Sequence, residues 1–137
     1  MPAIGNIVIN DGAATPVAHT FAPVAVNGEL ASYADRSGGI SVGYPTITAS
    51  LAAPSKTSRL YKARIKVVMP VLETISNSTM SGIAPAPTKA YDITADMTFL
   101  MPERSTLQDR KNILAFAKNL LANAVTTALV ENNETVY

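Results

Sequence analysis

The sequence predicts an α+β fold: an N-terminal β-hairpin, an antiparallel sheet and a helical C-terminal segment. Three observations predict it. Three stretches alternate strictly between polar and apolar residues. Asn10-Asp11-Gly12 separates two short β-prone runs near the N-terminus. After Pro102 the apolar residues recur at helical spacing instead of every second position.

A chain of 137 residues suffices for one domain with one hydrophobic core. We divide domain 1–137 into a hairpin over 1–22, a sheet over 29–102 and C-terminal helices over 104–131. In the hairpin, Ile4–Ile9 and Thr15–Phe21 flank the Asn10-Asp11-Gly12 turn, whose residue types tolerate positive φ. Pro16 suits a hairpin rim or an edge strand. Residues 22–29 read as a loop around Asn27-Gly28. A short strand over Leu30–Asp35 ends at Ser37-Gly38-Gly39.

The alternating stretches come next. In Tyr44–Leu51, Thr46, Thr48 and Ser50 oppose Ile47, Ala49 and Leu51. Beyond a turn near Pro54-Ser55, Lys62, Arg64 and Lys66 oppose Tyr61, Ala63, Ile65, Val67 and Met69. In the strand ending at Met101, Asp92, Thr94, Asp96 and Thr98 oppose Ile93, Ala95, Met97, Phe99 and Met101. A period of two places each set on one face of a pleated sheet. The result is one polar and one apolar face. Between the last two strands, Ser76–Lys89 is rich in Ser, Thr, Gly and Pro, and Pro85 and Pro87 oppose regular structure. A loop of this length is expected to be a contact element. After it, Ser105 and Gln108 match a capping box. Leu107, Leu114, Ala117, Leu120, Leu121 and Val125 then recur at helical spacing, and a helix is expected over Thr106–Asn123. A further helical piece, Ala124–Val130, reads as either separate or continuous, and the tail 131–137 is polar.

Composition adds a demand for a partner. Hydrophobic residues make up 47% of the chain and charged residues 15%, few for a soluble monomer. One short helical segment barely covers such a sheet, so a two-fold partner laying its helices across the apolar face is expected. The absence of cysteine excludes disulfides and cysteine-based metal sites. The first ten residues lack the basic start and apolar core of a signal peptide, and no stretch has the roughly 18–20 apolar residues of a membrane helix. A soluble intracellular product without membrane contact is expected.

Net charge is +1, yet from Arg36 to Leu72 there are six cations and no acid, and five of the 11 basic residues lie between Lys56 and Lys66. A polyanion meets that local density. The plain alternative for Lys62, Arg64 and Lys66 is a solvated strand face. Tyr44 shares parity with Thr46 and is either a stacking platform for a base or a simple strand-end tyrosine. Asp92 and Asp96 share a face, and we assign them to solubility or to pairing with the basic strand, not to acid–base catalysis or, with Glu103, to a metal. His19 is the sole histidine, with no recognisable triad partners, and is read as a surface or interface residue. Gly38-Gly39 is an ordinary turn and no phosphate-binding glycine pattern occurs. No catalytic residue, metal site or cofactor is expected.

Three segments, in this order, carry a resemblance: Ile7-Val8-Ile9-Asn10-Asp11-Gly12, Tyr61-Lys62-Ala63-Arg64-Ile65-Lys66-Val67-Val68-Met69-Pro70, and Asp96-Met97-Thr98-Phe99-Leu100-Met101-Pro102. With the polar tail ending in Tyr137, the whole chain resembles the coat proteins of single-stranded RNA bacteriophages. The resemblance implies an outward hairpin, a five-stranded antiparallel sheet continued edge to edge in a homodimer, and two C-terminal helices that interlock across it. It also implies an icosahedral shell in the virion, made in the bacterial cytoplasm. On its inner face, by the same resemblance, a genomic RNA stem-loop binds for packaging and for repression of replicase translation. Carried over, Thr48 and Ser50, with Thr46 beside them, belong to a base pocket whose charged member is Lys66, while Lys62 and Arg64 touch backbone or base. Asp96 stands where an RNA-contacting amide is common. Thr94 stands where some members stack an aromatic residue, and Arg64 replaces a small hydroxyl residue, so the cognate hairpin is expected to differ or its recognition to be weak. The loop Ser76–Lys89 matches one that gathers at the particle's symmetry axes, here without cysteines to cross-link it. The competing function is a non-viral dimeric module binding RNA or single-stranded DNA on a basic sheet face.

Overall fold

The computed structural model describes residues 2–74, 82 and 85–137. They form two compact units, 1–100 and 101–137. The first holds a sheet of six strands whose spatial order follows the sequence: β1 (Ile7–Asn10), β2 (Ala18–Asn27), β3 (Leu30–Ala34), β4 (Thr46–Ala52), β5 (Leu60–Leu72) and β6 (Lys89–Pro102). The second holds α1 (Leu107–Leu121) and α2 (Ala124–Glu131). The α+β class is as expected, but the strand count differs. The hairpin is not separate from a five-stranded sheet, because β2 serves both.

Its first half pairs with β1, Ile7 opposite Phe21 and Asn10 opposite Ala18, and its second half pairs with β3, Ala22 opposite Ala34 and Asn27 opposite Leu30. The expected loop over 22–29 is therefore a strand and a two-residue turn. Pro23 concealed it. Lacking an N–H, it sits where the register shifts between Pro23 and Ala25, a bulge that tolerates the lost donor. At the turn, Gly28 has φ +59°, a conformation that costs glycine little. The Asn10-Asp11-Gly12 turn is wider than expected, running from Asp11 to Val17. The Asp11 carboxylate accepts from the amides of Ala13 (3.2 Å) and Val17 (2.9 Å), and so organises the loop, on whose rim Pro16 sits.

Between β3 and β4 a single 3₁₀ turn, Ser41–Gly43, passes Leu72. A Cβ on Gly43 would stand 2.9 Å from a Leu72 methyl, so this approach uses glycine for its lack of side chain. β5 continues two residues beyond Pro70, past Met69, the last of the alternating residues. Pairing with β4 stops at Val68, so the missing N–H of Pro70 interrupts no bond on that side. β6 ends at Pro102 as expected. Of the loop Ser76–Lys89, positions 76–81, 83 and 84 lie outside the described residues.

α1 starts one residue later than the sequence suggested. Thr106, not Ser105, is the N-cap: its hydroxyl accepts from the Asp109 amide (3.2 Å), and the Asp109 carboxylate accepts from the Thr106 amide (3.0 Å). A carboxylate at that position is a stronger acceptor than the Gln108 amide and also complements the helix dipole. The two helices are separate, bent by 59°. Asn123 makes the break, its side chain accepting from the Val125 amide at 3.0 Å to cap α2. No single helix among the described residues is long and apolar enough to cross a membrane.

Little of either unit is buried. Among the described residues, the buried apolar side chains are Phe21, Ala34 and Ile47, all in the sheet unit. Neither helix holds a buried residue. Leu51, Tyr61, Ile65 and Met69 on the sheet, and Leu114, Phe116, Leu120 and Leu129 on the helices, are exposed.

Candidate nucleic-acid interface

The β4–β5 register decides which side chains share a face. Thr46 lies opposite Val68, Thr48 opposite Lys66, Ser50 opposite Arg64 and Ala52 opposite Lys62. Directly paired residues project to the same side, their Cβ atoms about 5 Å apart. The hydroxyl row of β4 therefore runs beside the cationic row of β5. Neighbouring cations on β5 are about 7 Å apart, two residues along one strand.

β6 closes this face. The Arg64 guanidinium donates through Nε to both carboxylate oxygens of Asp96 (2.9 and 3.1 Å) and through Nη2 to Oδ2. Asp96 is thereby placed on the cationic side, and Thr94, two residues away, shares its face. The hydrogen bonds from Arg64 hold the Asp96 carboxyl below its ordinary value, assisted by the charges of Lys66 and Lys62; Arg64 is pushed up in return. The expected pairing of Asp96 with the basic strand is thus present. Asp92 instead accepts from Lys89 at 2.8 Å.

The candidate residues Thr46, Thr48, Ser50, Lys62, Arg64, Lys66, Thr94 and Asp96 accordingly occupy one face of three adjacent strands. Ser32, which the sequence did not single out, joins them. It lies opposite Thr48 on β3, and its hydroxyl donates to the Ala25 carbonyl at 3.3 Å. Its signal was the Leu30-Ser32-Ala34 parity, too short and too weakly polar to stand out. Tyr44 lies in the link before β4, so strand parity does not assign it a face.

The apolar residues turn the other way. Ile47 is paired with Val67, Ala49 with Ile65 and Leu51 with Ala63. Tyr33 continues the row on β3.

A second polar cluster has no signal in the sequence. His19 on β2 is held between two carboxylates, Nδ1 2.8 Å from Asp35 Oδ2 and Nε2 3.4 Å from Asp11 Oδ2. Asp35 is 3% exposed, and its other oxygen accepts from the Ser37 amide at 3.0 Å. The hydrogen bond to Asp35, then that to Asp11, raises the His19 pKa; backbone and histidine donors lower both carboxyls. This cluster ties the β1–β2 loop to the end of β3.

The family model for levivirus coat proteins matches residues 2–137. The chain belongs to that family. It is a structural family of RNA-phage coat proteins, not an enzyme family, and the place of this coat protein is the virion. The chain is 29% identical over 132 residues to the capsid protein of Pseudomonas phage PRR1, a match covering 96% of this chain and 92% of that one. Among solved structures it is similar to the virus-like particle of bacteriophage ESE058, with TM-score 0.91 and 33% identity over 99% of this chain and 100% of that one. The virus-like particle of bacteriophage NT-214 gives TM-score 0.87 and 28% identity over 99% and 100%. The capsid protein of bacteriophage GA, at 18% identity and TM-score 0.73 over 98% and 97%, shares the fold. The family that the order of segments suggested is the family found.

Proposed function

We propose that this coat protein forms homodimers that assemble into an icosahedral shell, and that the polar face of β4, β5 and β6 binds a genomic RNA stem-loop. Binding there selects the genome for packaging and represses translation of the replicase. The observation that carries the RNA reading is the register: Thr48 beside Lys66 and Ser50 beside Arg64, on the face opposite Ile47, Ala49 and Leu51. Cations supply attraction to phosphate, hydroxyls supply donors and acceptors to base edges, and one surface offers both.

The dimer is supported by what the single chain leaves exposed. Two helices without a buried residue, and a sheet whose apolar face shows Leu51, Ile65 and Met69, bury too little to stand alone. A second copy is the partner that a shell provides, and relatives at 28–33% identity form virus-like particles.

Two measurements test this. Electron microscopy of purified recombinant protein is expected to show uniform particles; discrete dimers at all concentrations would contradict assembly of this chain into a shell. Filter binding across a salt series is expected to show that a Lys62→Ala, Lys66→Ala double variant loses affinity. Its salt dependence should flatten by about 0.7 for each phosphate of a single strand that the protein no longer neutralises. Unchanged binding would place the RNA elsewhere.

A further inference from the structure

His19 joins two carboxylates from different parts of the chain. Nδ1 lies 2.8 Å from Oδ2 of Asp35, just past the end of β3, and Nε2 lies 3.4 Å from Oδ2 of Asp11, at the start of the β1–β2 loop. The two ties are unequal. Asp35 is 3% exposed, whereas the Asp11 side chain is 36% exposed. Oδ1 of Asp11 is committed within its own loop, where it accepts from the amides of Ala13 and Val17. Around the small cavity beside the imidazole, Ile9, Asn10, Phe21, Pro45, Val67 and Met69 carry no charge, and Asp35 and Asp11 are the charges that act on the ring. A carboxylate oxygen accepts and does not donate, so each tie needs an N–H on the imidazole. The imidazolium has two and the neutral ring has one. Loss of one proton must therefore break one tie and turn a nitrogen lone pair toward a carboxylate oxygen. Stranding the buried carboxylate costs far more than stranding the exposed one, to which water can donate instead.

We propose that His19 is a proton-operated clasp for the β1–β2 loop: the imidazolium fastens Asp11 to the end of β3, and the neutral ring keeps Asp35 and lets Asp11 go. The proton leaves Nε2 for solvent, the remaining N–H stays on Nδ1, and water becomes the donor to Oδ2 of Asp11. Both carboxyls lie below their ordinary 3.8 and stay ionised throughout. The hydrogen bond to Asp35, then that to Asp11, raises His19 from 6.5, so the clasp is closed below about pH 6.5 and opens as pH rises through the raised value. The hairpin itself is not undone, because the pairing of Ile9 with His19 and of Asn10 with Ala18 is made by backbone groups that do not titrate. The released part is the loop over 11–17.

The test is hydrogen exchange, read by mass spectrometry on the purified full chain at about pH 5.5 and about pH 9, with each rate divided by the intrinsic rate at that pH. Relative to peptides from β4, protection of peptides covering 11–17 is expected to fall about threefold to fivefold at the higher pH, the scale of an exposed charged pair. Asp11→Asn should reverse the sign. The amides of Ala13 and Val17 hold its carbonyl oxygen, so its NH2 group faces Nε2, where it donates to the neutral ring and opposes the N–H of the imidazolium. Its loop is therefore expected to be better protected at the higher pH. His19→Gln should show no difference between the two. Equal protection of the wild-type loop at both pH values would overturn the clasp, and that comparison needs no substitution. An Asp11→Asn loop that still loosened toward high pH would overturn it too, since another group would then be responsible.

Discussion

His19 shows what a single residue adds that its neighbours in sequence do not announce. Its partner Asp35 is sixteen residues away and reaches it only because β2 and β3 pair. No spacing rule links the two, so the cluster was illegible, whereas the rows Thr46-Thr48-Ser50 and Lys62-Arg64-Lys66 were legible because a strand writes its faces at period two. The cluster has a definite pH signature. His19 is raised from its ordinary 6.5 by its two carboxylates, so its contribution is complete below about pH 6.5 and is lost as pH rises through the raised value. Asp35 and Asp11 are lowered from 3.8, so theirs is complete above about pH 3.8 and is lost as pH falls through the lowered values. Melting temperatures of His19→Ala and wild type are expected to differ most between about pH 4 and 6.5 and to converge toward pH 9. A gap independent of pH would show that His19 acts through packing alone. At the proposed RNA face, Thr48→Val removes a hydroxyl while keeping the shape. We expect reduced selectivity for a structured hairpin with the salt slope unchanged, since no charge is lost.

The elements were more legible than their ends. Three alternating strands and the helical C-terminal segment follow from period alone, while Pro23 reads as a stop and divides β2 in two. The bulge between Pro23 and Ala25 absorbs that proline without ending the strand. The capping box was displaced by one residue because two adjacent frames, Ser105 with Gln108 and Thr106 with Asp109, both carry plausible capping residues. Geometry selects the carboxylate. Thr106→Ala is accordingly expected to destabilise the protein by about 1 kcal/mol, and Ser105→Ala by much less, in urea unfolding at fixed protein concentration. Equal effects would mean that the cap is shared. The absence of Gly and Pro leaves the α1–α2 break open in the sequence, and Asn123 supplies it through its side chain.

At the scale of the whole molecule, the sequence's shortage of charge and the chain's shortage of buried side chains describe the same condition. Among the described residues, Phe21, Ala34 and Ile47 are the buried apolar side chains, a small core. Light scattering on disassembled protein is expected to give twice the chain mass, with no stable folded monomer on dilution. Leu114, exposed in the single chain, is expected to be covered by the second copy, so Leu114→Asp should abolish soluble protein: a buried unpaired carboxylate costs several kcal/mol. Soluble, folded Leu114→Asp monomer would contradict the dimer. That one face of the sheet meets RNA is open to a direct test. Ultraviolet cross-linking of RNA inside purified particles, mapped by mass spectrometry, tests it without assuming which hairpin is bound. Cross-links on peptides carrying 46–50, 62–66 and 94–96 are predicted; cross-links confined to the hairpin at 7–21 or to the helices at 107–131 would contradict it.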